Sequence, residues 1–223
     1  MPFTLNNTFT QRVITGLFIG LIFWGIYFYL PPLYFSFFLL LILGLIIIFE
    51  WTRFFPVAKP MFWLLMPLYP IAPFALLILL NHQPLYRELL LILFVIVFSF
   101  DTGGYIIGHL CGKHMIIPTI SPNKSWEGVI GGYIFACVGL ALIILERGYT
   151  KPWWLMGILT GVVCILSFVG DLFESWLKRR ARIKDSGTML PGHGGFLDRF
   201  DGIMFAVFFF YLLRDFLIDF LIS

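Results

Sequence analysis

Long apolar runs separated by short polar breaks fill most of this chain. A hydrocarbon core about 30 Å thick is crossed by roughly 20 mostly apolar helical residues, because a helix satisfies its own backbone polar groups there. Seven runs approach that length, at positions 13–30, 33–49, 61–80, 85–100, 128–145, 153–170 and 202–222. Pro31 and Pro32 end the first, and Glu50 with Arg53 stops the second. Pro67, Pro70 and Pro73 fall inside the third and predict a kink or a local opening, since each removes a backbone donor. The fourth opens on Arg87 and Glu88 and has room to extend through the glycines after Asp101. The pattern predicts an all-α, polytopic integral membrane helical bundle of about seven transmembrane helices. Arg12 ahead of the first run would suit a signal peptide. That run is long, however, and no small-x-small cleavage site follows it, so it reads as a retained helix.

Composition excludes the alternatives. Residues are 60% hydrophobic and 12% charged, against roughly 25% charged in soluble domains, and mean hydropathy is +0.95. A water-soluble monomer, a disordered chain and a polar solenoid are all ruled out. A net charge of +3 is too small to imply a nucleic-acid partner. Cys111, Cys137 and Cys164 are odd in number and lack a CxxC spacing, so they indicate neither a disulfide framework nor zinc. With seven crossings, eleven of the 15 Lys and Arg residues fall on the side that holds the N-terminus with Arg12 and positions 50–60, 101–127 and 171–201. The positive-inside rule then predicts that this side is cytoplasmic.

Positions 1–100 read as a lipid-facing scaffold and 101–223 as the region that carries the chemistry, in polar loops at 101–127 and 171–201. In the first loop, Gly103, Gly104, Gly108 and Gly112 line one side of a helix and suit close helix packing. Ser121-Pro122-Asn123-Lys124-Ser125, followed by Glu127 ahead of a glycine-rich helix, reads as an anion-binding loop or as an ordinary helix cap. In the second loop, continuation of the sixth helix would put Asp171, Glu174, Ser175 and Lys178 on one face. Asp198 and Asp201 share a face at the start of the seventh. Carboxylates at a membrane interface need neutralising partners, and two alone repel. A divalent cation removes the conflict, and hard oxygen ligands favour magnesium. Lys178, Arg179, Arg182, Lys184 and Arg199 add a positive wall for phosphate oxygens. Asp171 could instead pair with Lys178, and Asp201 with Arg199. His193 lies between glycines and reads as a structural residue more readily than as a base, since no orienting partner is evident. The residues alone reach a membrane enzyme that handles phosphates.

The order Ser175-x-x-Lys178-Arg179-x4-Lys184-Asp185-x-Gly187-x-x-Leu190-Pro191-Gly192-His193-Gly194-Gly195-x-Leu197-Asp198-Arg199-x-Asp201 resembles the signature of phosphatidate cytidylyltransferases, also called CDP-diacylglycerol synthases. Upstream, Asp101 and Ser121-Pro122-Asn123-Lys124-Ser125-Trp126-Glu127-Gly128 are similar to a second block of that family. The resemblance covers the C-terminal half. The N-terminal half matches in character only, and the family commonly has more membrane segments. Asn123 and Ser125 stand where the family often has a basic residue and a threonine.

The resemblance implies transfer of the cytidylyl group from CTP to phosphatidic acid, giving CDP-diacylglycerol and pyrophosphate, with magnesium and room for a second or monovalent cation. It implies Asp171, Asp198 and Asp201 as metal ligands, with Glu174 as a helper. Asp171, Asp198, Lys178, Lys184 and Arg199 become the catalytic set. Ser121, Lys124, Ser125, Glu127, Ser175, Arg179, His193, Gly194 and Gly195 become the substrate-binding set. It also implies a bacterial inner membrane with the active site facing the cytoplasm, and leaves a homodimer open. The competing expectations are another CTP-dependent membrane lipid transferase or kinase and, with less support, an ion-coupled transporter. No repeated halves of the kind transporters use are visible.

Overall fold

A computed structural model describes residues 7–149, 152–190, 192 and 194–221, with side chains from position 14 onward. Pro191, His193 and the side chain of Arg12, all used in the sequence reading, lie outside the described residues. The helices are α1 (Asn7–Tyr29), α2 (Pro32–Phe54), α3 (Pro60–Asn81), α4 (Pro84–Cys111), α5 (Trp126–Arg147), α6 (Trp153–Arg180), α7 (Leu197–Leu212) and α8 (Arg214–Leu221). Strands β1 (Met115–Ile117) and β2 (Ser121–Ser125) form an antiparallel hairpin.

Helices α2 to α6 are long and apolar enough to cross a membrane. Leu21, Leu142, Leu145 and Ile165 remain 63–73% exposed, an outward apolar surface that only lipid would solvate well. The chain is a helical integral membrane protein. Of the seven expected crossings, the first corresponds to a shorter apolar stretch, Ile14–Tyr29, among the described residues. The last is divided between α7 and α8. The Arg214 guanidinium lies over the rings of Tyr211 and Tyr86, 4.6 and 5.7 Å from their centroids, and the Tyr86 hydroxyl donates to Asp215. A charged pair satisfied by local aromatic partners interrupts the apolar run there.

The described residues form two compact units. One takes the residues up to Asn81 together with Leu177–Phe200; the other takes His82–Trp176 and the residues from Asp201 onward. In the first unit, Phe35, Leu39, Phe74 and Leu77 are fully buried, and the Asn81 amide donates to the Pro32 carbonyl and the Ser36 hydroxyl. The prolines of α3 produce a π-helical turn at Pro67–Ile71. Pro70 has no N–H to offer the Met66 carbonyl, and Ile71 donates to it instead at 3.1 Å. A second π-helical turn, Ile46–Trp51, lies near the end of α2 and buries Ile46, Glu50 and Trp51.

In the second unit, α4 runs on through its glycines to Cys111, the extension for which the fourth run had room, so the segment 101–127 begins as helix. The glycine stripe serves packing, as its spacing suggests. A methyl on Gly103 would stand 2.5 Å from Phe135, and one on Gly128 would stand 3.0 Å from the Gly104 carbonyl oxygen. Small residues let α4 and α5 approach closely without relying on a hydrophobic driving force, which lipid does not supply. Helix α6 likewise continues to Arg180, which makes positions 171–180 helical as the face argument required.

Gly132→Ala is expected to destabilise the protein by about 1–3 kcal/mol through overpacking, because the added carbon would meet the Phe100 carbonyl oxygen at 2.6 Å. Gly25→Ala in α1, with open space around it, is expected to be neutral or slightly stabilising. Thermal unfolding in detergent micelles separates the two, and equal losses would contradict the packing account.

Candidate active site

Two charged clusters emerge, one in each unit. In the second unit, the Lys124 ammonium on β2 pairs with the Asp171 carboxylate on α6 and also sits 4.9 Å from the Phe168 ring centroid. Asp201 on α7 is buried close to Asp171 and Glu174, and it accepts from the Gly202 amide at 2.9 Å. Helices α6 and α7 approach closely at this level. A methyl on Gly170 would clash with the Asp201 carbonyl, and one on Gly202 with the Ser167 hydroxyl. Residues from both polar segments of the sequence therefore meet around Asp171.

The hairpin is braced from below. The Ser125 hydroxyl caps α5 by accepting from the Gly128 amide at 3.1 Å. Glu127 turns back to the start of the hairpin, accepting from the Lys113 and His114 amides at 3.1 and 3.2 Å and meeting the His114 ring. Of the expected substrate-binding residues here, Lys124 alone reaches the carboxylates; Ser125 and Glu127 hold the strand that carries it. Ser121 and Ser175 are half-buried.

In the first unit, Asp198 is almost fully buried at the start of α7. It accepts from the Lys178 ammonium at 2.8 Å, the Gly195 amide at 2.8 Å, and the Ser186 amide and hydroxyl at 3.1 and 2.9 Å. Burial opposes its ionisation, but the Lys178 charge and these donors outweigh burial and hold its carboxyl below the usual carboxylate range. Gly194 adopts a φ of +82°, which favours glycine, with Asp198 against the space where a Cβ would stand. Arg179, Lys184 and Arg199 are exposed.

Sequence reasoning missed two residues of this cluster. Glu50, taken only as the stop of an apolar run, is fully buried. It accepts from the Phe196 and Leu197 amides, each at 2.8 Å, and from the Ser186 hydroxyl at 3.1 Å. Ser186 lay at an unspecified position of the signature. The available signal was a lone carboxylate closing an apolar helix, a costly placement without internal partners.

The donor set suits a hard cation in its chemistry: Asp171, Glu174 and Asp201 offer only carboxylate oxygens. Lys124 already pairs with Asp171 within this group. Among the described residues, no group of three or more His, Cys, Asp or Glu side chains converges as a metal site would.

The sequence profile of the cytidylyltransferase family matches residues 55–217 of this chain, which include every residue of both clusters except Glu50. The chain belongs to the cytidylyltransferase family. Three similar relatives are named phosphatidate cytidylyltransferase. The protein of Staphylococcus saprophyticus is 44% identical over 118 residues, covering 53% of this chain and 45% of that protein. The protein of Staphylococcus haemolyticus is 46% identical over 114 residues, covering 51% and 44%. That of Staphylococcus aureus strain COL is 46% identical over 115 residues, again covering 51% and 44%. The matched stretch spans less than half the length of each relative. Within this family member, the Asp198 cluster makes a pH prediction. A depressed carboxyl contributes stability above its unfolded value of about 3.9 and loses it as pH falls through the lower folded value. Asp198→Asn should therefore lower the unfolding temperature by a steady amount from about pH 8 to about pH 5, and the gap should close in stronger acid. Thermal scans across pH check this, and a gap that widened in acid would contradict it.

Proposed function

We propose that this chain transfers the cytidylyl group of CTP to phosphatidic acid, releasing pyrophosphate and forming CDP-diacylglycerol. The observation that carries the reading is the Lys124–Asp171 pair, which joins the two polar segments of the sequence in a member of the cytidylyltransferase family. The shared name of the relatives supports the choice of lipid substrate.

The chemistry asks little of the protein as a base. The phosphate of phosphatidic acid is already an anionic nucleophile near neutral pH. Its oxygen attacks the α-phosphorus of CTP, the bond to the bridging oxygen breaks, and that oxygen leaves with pyrophosphate. The residues must align the two phosphates and stabilise charge on the departing group. Lys124, held in place by Asp171 and the Phe168 ring, offers a positive charge to the nucleotide phosphates. The exposed Arg179, Lys184 and Arg199 offer further cationic donors, the arginines in bidentate form. Asp171 and Asp201, with Glu174 beside them, are candidate magnesium ligands within the second unit, and Asp198 is a separate candidate within the first. Bound there, magnesium would neutralise phosphate charge as a Lewis acid. The excess of basic residues on one side of the predicted topology supports a site at the cytoplasmic face of a bacterial cell membrane, where CTP arrives from water while acyl chains stay in lipid.

Purified protein given CTP and phosphatidic acid is expected to form CDP-diacylglycerol in the presence of magnesium. Asp171→Asn is expected to abolish incorporation with membrane insertion intact, and near wild-type turnover would remove Asp171 from the site. Lys124→Ala should raise the CTP requirement more than the lipid requirement, as measured by varying each substrate in turn. An unchanged CTP dependence would exclude Lys124 from nucleotide binding.

A further inference from the structure

The residue with the most unexplained investment is Glu50. It lies at the end of an otherwise apolar run and is completely shielded from solvent. The π-helical turn Ile46–Trp51 contains it, and such a turn re-phases a helix by one residue, so that a side chain otherwise facing lipid can point inward. Its two oxygens collect three donors from a segment about 140 positions away: the Phe196 and Leu197 amides and the Ser186 hydroxyl. The two amides open α7, where unsatisfied N–H groups and the helix dipole favour a negative partner. Arg53, one turn further along α2, donates to the Ser186 carbonyl at 3.1 Å and grips the same segment.

The glycines of the signature fit around this carboxylate. A methyl on Gly187 would stand 3.0 Å from Glu50 Oε1, and one on Gly195 would stand 2.6 Å from Glu50 Oε2. Ser186 links the arrangement to Asp198. Its hydroxyl lies 3.1 Å from Glu50 Oε2 and 2.9 Å from Asp198 Oδ2, and it has a single hydrogen to share between them. A change at Glu50 is thus transmitted to the groups that orient Asp198.

We propose that Glu50 is a positioning residue for the transfer reaction: it fixes Ser186 and the start of α7 at Phe196 and Leu197 and, through Ser186, the Asp198 carboxylate and its Lys178 partner. This rests on the cytidylyl-transfer reading for its activity arm, while a second arm stands without it. Glu50→Gln keeps the shape but replaces one accepting oxygen with a donor, which cannot serve an amide N–H. In full-length protein in lipid nanodiscs, Glu50→Gln is expected to lower kcat by about a hundredfold, the scale of a small misplacement of a reacting group, with the KM for CTP changed much less. Trypsin cleavage after Arg182 or Lys184 is expected to speed up about tenfold as the segment opens more often, while cleavage elsewhere is unchanged. Ser186→Ala, which removes the link but leaves Glu50 on its two amides, should reproduce the kcat loss with a smaller change in cleavage. It also serves as the test if Glu50→Gln fails to fold. Wild-type turnover and cleavage in Glu50→Gln would overturn the proposal, as would a loss of turnover with cleavage unchanged, or an effect on KM alone. If wild-type protein forms no CDP-diacylglycerol, the functional reading fails; faster cleavage in Glu50→Gln would still support the anchoring, and unchanged cleavage would refute it.

Discussion

Acidic side chains in an apolar helical protein must be neutralised where they stand, and the described structure is organised around that constraint. A carboxylate shielded from water is costly without partners, so each draws them from the chain itself. Asp171 takes the Lys124 ammonium, Asp198 takes Lys178 and the loop amides, and Glu50 takes the amides that open α7. These partners come from distant stretches of sequence, so satisfying the charges also fixes the backbone around them. In both clusters glycine leaves the room: Gly170 and Gly202 beside Asp201, Gly194 beside Asp198, and Gly187 and Gly195 beside Glu50.

The same constraint separates scaffold from chemistry. Helices α4 and α5 pack on glycine with few polar groups and present apolar faces outward, which suffices for a membrane helix pair. The basic and acidic residues gather instead at helix ends and in the two connecting segments. Lys124 illustrates the division of labour within a segment. Ser125 caps the following helix and Glu127 ties down the hairpin, leaving the lysine as the group that faces the carboxylates.

Much of this was legible in the sequence because lipid imposes simple rules. Apolar runs of span length located α2 to α6, and the α3 prolines announced the irregular turn at Pro67–Ile71. The i, i+3 spacing of Asp171 and Glu174 placed both on the face that meets Asp201. Helix ends were harder to read. The glycine stripe suggested that α4 extends past Asp101, but its end at Cys111 is set by packing against α5 and not by local hydropathy. The break at Leu213 is accompanied by an aromatic partner from α4, Tyr86, which no window on the last run contains. Glu50 and Ser186 were missed because their role depends on a re-phased turn and on contacts more than a hundred positions apart.

The central claim is that the charged ends of these helices serve transfer of a nucleotidyl group to a lipid phosphate, as opposed to transfer of a terminal phosphate. The most direct measurement supplies CTP labelled in parallel at the α- and γ-phosphorus, with phosphatidic acid, and follows each label into lipid and water. The account predicts that the α label enters the lipid and the γ label leaves in pyrophosphate. Appearance of the γ label in the lipid, with CDP left behind, would contradict it.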